Sequence, residues 1–115
     1  MADSVIDAAT FAELQETTGA EFAAELVSTF LEEAPGMLAE LRAALAGAHA
    51  ERFKRAAHSL KSNCNTFGAL ELAATARALE LAGLNADPAK DTAALDALEA
   101  AYAGVARELK GLTRG

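Results

Sequence analysis

The stretch Arg55–Ala69, RAAHSLKSNCNTFGA, holds one of the two histidines in the chain. A helix advances about 100° per residue. With Phe53 set at zero, Ala57, Leu60, Cys64 and Phe67 all fall within about 40° of it. Those five residues form one apolar stripe, so the segment from about Ala50 to Phe67 reads as an amphipathic helix laid against a core. On the same wheel His58 lies about 140° away, and Lys54, Lys61 and Asn65 lie at about 80–120°. Glu51 and Ser62 lie at about 160–180°. The imidazole therefore belongs to the wet side of the helix and is no core residue.

The flanking sequence repeats the helical pattern. A short helix is expected from about Asp7 to Thr17, with Asp7 as N-cap, an apolar face of Phe11 and Leu14, and a stop at Gly19. A long one is expected from about Ala20 to Ala48, with Phe22, Leu26, Phe30, Met37, Leu41, Leu45 and Ala48 on its inner stripe. Pro35-Gly36 predicts a kink or brief break there, because proline lacks the backbone donor and crowds the preceding turn, and the apolar pattern resumes in phase afterwards, which favours a kink. A fourth helix is expected from about Ala69 to Leu84, with Leu72, Ala76, Leu79 and Gly83 inward. After the loop GLNADP, Asp87 as N-cap and Pro88 at the first helical position open a fifth. Its inner residues are Leu95, Leu98, Tyr102, Val105, Leu109 and Leu112. The fold class that follows is all-α: an antiparallel four-helix bundle with a short additional N-terminal helix, forming a single domain over 1–115.

Composition agrees. The chain has 115 residues, is 52% hydrophobic, and carries a net charge of −7. That charge argues against nucleic acid as a partner, because phosphate backbones need clustered positive charge. It also disfavours an anionic membrane surface, and no apolar run approaches the roughly 20 residues of a membrane span. The first ten residues, MADSVIDAAT, have neither a basic leader nor an apolar core. Cys64 is the only cysteine. A cytoplasmic setting is expected.

Against this acidic background, Arg52, Lys54, Arg55 and Lys61 place four of the ten basic residues within the eleven from Glu51 to Lys61. A local positive patch around an exposed imidazole suits an anion. An ordinary imidazole titrates near pH 6.5, so near pH 7 much of it is neutral and nucleophilic. Lys61, one turn on, can neutralise phosphoryl oxygens, and the small Ser62 lets a partner surface approach. Elsewhere the polar residues read as structure. His49 is a boundary or capping residue, Cys64 a small core hydrophobe, and Tyr102 a core ring with its hydroxyl near the surface. Glu32-Glu33 and Asp87-Asp91 read as solvated faces or caps. The histidines and cysteine are not grouped as metal ligands. No phosphate-cradling glycine loop or kinase catalytic sequence is present, so ATP binding is not expected.

The segment HSLKSNCNTFG resembles the phosphoacceptor signature of histidine phosphotransfer (HPt) domains of two-component phosphorelays. That signature reads H-x-L-K-G, with a further glycine ten residues after the histidine. His58, Leu60, Lys61 and Gly68 match it, and Ser62 stands where the pattern has glycine. Upstream, FLEEAPGMLAELRAAL (Phe30–Leu45) resembles the second helix of that family, proline included. The resemblance implies that His58 is the phosphoacceptor through the ring nitrogen remote from the backbone, and that Lys61 supports the phosphoryl group. It implies a docking surface drawn from Lys54, Arg55, Ser62 and Asn65, with Gly68 at the sharp join to the next helix. The implied partners are response-regulator receiver domains and a sensor histidine kinase. Mg²⁺ is then expected in the receiver's acidic pocket and not in this chain, which acts as a monomeric phosphoryl carrier without kinase activity. Two alternatives remain open: a helical interaction module that is never phosphorylated, and a domain cut from a larger hybrid kinase.

Overall fold

The computed structural model describes residues 5–84 and 88–113. Five helices follow one another: α1 (Ala8–Thr18), α2 (Ala20–Ala46), α3 (Ala50–Phe67), α4 (Leu70–Ala82) and α5 (Pro88–Leu112). There is no strand among the described residues. Packing contacts join α2 to α3, α3 to α4, α4 to α5 and α5 back to α2, while α1 lies on α2 and α3. Consecutive helices with short connections are thus neighbours in a closed ring of four, the antiparallel arrangement expected of amphipathic helices of similar length.

The ends follow local chemistry. Asp7 caps α1, its Oδ2 accepting from the Thr10 amide at 3.0 Å and from the Thr10 hydroxyl at 2.6 Å. These bonds hold its carboxyl below the ordinary carboxylate range. At the other end of α3, Gly68 adopts the left-handed conformation with φ 83°. Its amide donates to the Asn65 carbonyl and the Ala69 amide to the Cys64 carbonyl, closing the helix in a Schellman-type turn. The Asp7 amide donates to the Gly68 carbonyl at 2.7 Å, and a Cβ on Gly68 would stand 2.9 Å from the Asp7 carbonyl oxygen. Glycine is required there for both the turn and the approach of the N-terminal segment.

The α3 stripe is buried as the wheel predicts: Phe53, Ala57, Leu60, Cys64 and Phe67, joined by Ala56. Phe67 stacks on Phe30 of α2 with ring centroids 5.1 Å apart, and Tyr102 of α5 meets Phe30 edge-on at 6.0 Å. Cys64 is sealed in this core, and burial pushes its thiol up to about 12, which keeps it unreactive at neutral pH.

Several expectations need correction. α2 ends at Ala46, and it continues through Pro35 without a break, as the in-phase apolar pattern on both sides of the proline favours. Its buried stripe is Ala23, Val27, Phe30, Ala34, Leu38, Leu41 and Ala44, so Phe22 is half exposed and Leu26, Met37 and Leu45 lie at the margin. The small alanines take the centre because they let neighbouring helices approach, and the larger side chains move aside. Ala48 belongs to the link before α3, with φ 57°. α4 is shorter than expected at both ends, and Leu112 on α5 is exposed. Asp91 is no solvated acid: it is buried in the first turn of α5, where a helix N-terminus favours negative charge. The N-cap expected at Asp87 lies outside the described residues.

Candidate functional site

His58 stands on the outer side of α3 with 57% of its side chain exposed. Its Nδ1 lies 2.8 Å from Oε2 of Glu80, which α4 brings across the seam. The other oxygen, Oε1, accepts from Lys61 Nζ at 3.0 Å. One carboxylate is therefore shared by the two residues that sequence pattern singled out. Lys61 and His58 together hold the Glu80 carboxyl below its ordinary value, through Lys61's hydrogen bond first. An ionised carboxylate can only accept, so Nδ1 carries a proton and donates. Nε2 has no partner among the described residues and faces water. The result is a ring fixed in one orientation, its free nitrogen outward.

Glu80 is absent from the site that sequence alone suggests. It lies 22 residues from His58, and α3 and α4 are antiparallel about the turn at Gly68. A carboxylate adjoining the buried stripe of α4, at the height of His58, was the available signal.

The cationic neighbourhood is also smaller than the sequence suggests. Arg52 is taken by Glu40 of α2 in a two-pronged pair, Nε to Oε2 at 2.8 Å and Nη2 to Oε1 at 2.9 Å. Lys61 is taken by Glu80. Lys54 and Arg55 form no ion pair among the described residues, and both are exposed. With Glu51, His58 and Glu80 they line a shallow open cleft of ≈ 250 Å³. Lys54 reaches it across the C-terminus of α4, where Gly83 (φ 66°) makes room: a Cβ on Gly83 would stand 3.1 Å from Lys54 Cε. A cation there also complements the negative end of α4.

Ser62 and Asn65 lie further along the same exposed side of α3. Gly68 does not join them. It is buried under Asp7, ten residues or about 15 Å of helix from His58. His49 begins α3 without a side-chain cap bond. No group of three or more metal-ligating side chains occurs among the described residues, and no helix is long and apolar enough to cross a membrane.

The sequence profile of the Hpt domain matches residues 25–108, which is most of the chain and includes α3 and α4 whole. The chain belongs to the Hpt domain family. Such domains are phosphocarriers that act with kinases and receiver domains in two-component phosphorelays. Among solved structures, the histidine-containing phosphotransfer protein B (HptB) of Pseudomonas aeruginosa PAO1 has the same fold. The TM-score is 0.85, with 24% identity over 98% of this chain and 97% of that one. No curated protein matches. The five-helix HPt architecture is thus shared across nearly the full length, although few side chains are.

Proposed function

We propose that His58 is the phosphoacceptor of a single HPt domain that exchanges phosphoryl groups with receiver aspartates. The observation that carries this reading is the shared Glu80 carboxylate, which accepts a hydrogen bond from Nδ1–H of the imidazole and leaves Nε2 as an exposed nucleophile. In the forward step the Nε2 lone pair attacks phosphorus of the receiver's aspartyl phosphate. The N–P bond forms, the P–O bond to aspartate breaks, and the carboxylate leaves. Nδ1 keeps its proton, so the ring becomes cationic, and Glu80 at hydrogen-bond distance offsets that charge as it develops. In the return step a receiver aspartate attacks phosphorus, the N–P bond breaks, and the neutral imidazole is regenerated.

Lys61 has three donors. One holds Glu80 and the others are available to phosphoryl oxygens. Lys54 and Arg55 draw the acidic pocket of the receiver toward the cleft, and Ser62 and Asn65 lie under the docked partner. Mg²⁺, where required, belongs to that pocket. We assign the chain a cytoplasmic, monomeric carrier role with a sensor histidine kinase upstream, and no kinase activity of its own.

Incubation with a phosphorylated receiver tests the reading. An acid-labile, base-stable label on the wild type that is lost in His58→Gln supports it. Binding of the receiver by both proteins with label on neither overturns it, in favour of a non-phosphorylated interaction module.

A further inference from the structure

α4 is apolar on two sides. One stripe, Leu72, Ala73, Ala76 and Leu79, is buried. A second, Leu70, Ala74, Ala78 and Leu81, is exposed, with Leu81 at 69% and Leu70 at 47%. The spacing i, i+4, i+8, i+11 keeps these four within about 80° of arc, turned away from the core. Leu81 follows Glu80 directly, and Glu80 touches His58. Measured from their buried stripes, His58 on α3 and Leu81 on α4 are both turned about 140° outward, each tipped toward the shared seam. Both therefore sit at one height on one surface, on adjacent helices about 8–10 Å apart.

We propose that the exposed α4 stripe, centred on Leu81 and edged by Arg77, is the apolar half of the surface on which a receiver domain docks; this rests on the role given to His58. A partner reaching Nε2 through a standard interface covers about 800 Å² on this chain, a disc of about 16 Å radius around His58. That disc takes in the stripe from Leu81 as far as Ala74, some seven residues or about 10 Å along α4. Charge selects the side. Arg77 is exposed and forms no ion pair among the described residues, so with Lys54 it gives two uncommitted cations on the α4 side of His58, while Arg55 borders both that side and the groove between α2 and α3. On the opposite side, the groove between α2 and α3 carries Glu33 and Glu40 besides Arg55, with Arg52 already neutralised by Glu40. An acidic receiver pocket is attracted more strongly to the first side, whose cations have no acid paired with them, than to the second.

Two phosphoryl donors separate docking from chemistry: a phosphorylated receiver, and phosphoramidate, which needs no docking surface. For Leu81→Asp, folded by circular dichroism, kcat/KM from the receiver is expected to fall roughly tenfold or more. Phosphoramidate labelling of His58 stays at the wild-type rate. Arg77→Glu gives a smaller loss that shrinks with added salt, and Gly36→Gln, in the α2–α3 groove, has no effect. Wild-type receiver transfer by both α4 variants overturns the proposal. So does a loss confined to Gly36→Gln, which places the partner over α2. A wild-type dimer in sedimentation that Leu81→Asp dissociates also overturns it, assigning the stripe to a second copy. If phosphoramidate and receiver both fail to label the wild type, the role of His58 fails first, and the docking proposal with it.

Discussion

The α2–α5 and α3–α4 seams of the bundle both carry acids and bases across antiparallel helices, and they use them differently. At the α2–α5 seam, Arg42 donates to both oxygens of Glu99, at 2.9 and 3.0 Å, and also to Asp96. The guanidinium is raised and the Glu99 carboxyl lowered, each by the other's hydrogen bonds. Those charges are saturated and act as a clamp. At the α3–α4 seam, one carboxylate serves both His58 and Lys61, while Lys54, Arg55 and Arg77 have no acid of their own among the described residues. The first seam satisfies itself, and the second is left needing an anion. Charge pairing that ends inside the molecule is architecture, whereas charge left over beside a fixed nucleophile is a site.

The contrast can be broken at several points. The largest effect is steric. Ser62→Trp puts an indole beside Nε2 on the docking side, and receiver-dependent transfer should fall about a hundredfold, since a displacement of about 1 Å can cost that much. Transfer at the wild-type rate would show that the partner does not cover Ser62. Next is Glu80→Ala. Losing a hydrogen bond to a charged group should slow transfer about tenfold or more. Because a merely structural role could also slow the reaction, the decisive readout is ¹⁵N NMR of the imidazole, which should show the Nδ1–H tautomer losing its dominance. Lys61→Ala should shorten phosphohistidine lifetime several-fold with helicity unchanged, and an unchanged lifetime would remove Lys61 from the chemistry.

Smaller effects compare the seams directly. Arg42→Ala should lower the melting temperature only slightly, as loss of an exposed ion pair does, and leave transfer alone. Arg55→Ala should do the reverse, slowing association at low salt and converging on the wild type at high salt. In addition, Glu40, Glu80 and Glu99 are all held below the ordinary value of 4.5 by their cationic partners. Folding therefore favours their ionised forms. That stabilisation is complete above about pH 4.5 and is lost as pH falls through the lowered values. Denaturant titrations should show stability level from pH 7 to about 5.5 and declining below about 4.5.

How much of this was legible depended on what each residue contacts. α3 could be read almost residue by residue, because its apolar and charged positions separate cleanly. His58 could be placed in water and Cys64 in the core from spacing alone, and Gly68 could be tied to a tight turn. On α2 the pattern finds Phe30 and Leu41 but places Phe22, Leu26, Met37 and Leu45 too far inward, because alanines and leucines recur on several sides of the helix and size does not decide which faces the core; Ala23, Ala34 and Ala44 are buried and Phe22 is not. Pro35 did not interrupt the helix, since packing on both sides of it, through Ala34 and Leu38, outweighs one lost hydrogen bond. Pairing across helices was illegible. Glu80 on His58 and Lys61, Glu40 on Arg52, and the burial of Asp91 depend on how the bundle closes, which no local pattern records.

The chemistry proposed for the site depends on Glu80 holding the Nδ1 proton of His58 and so presenting Nε2 to the donor. Phosphorus-31 and nitrogen-15 NMR of the protein labelled by a phosphorylated receiver tests it most directly. One phosphohistidine is expected, at Nε2 of His58. Phosphate on Nδ1, on His49 or on no histidine would contradict it.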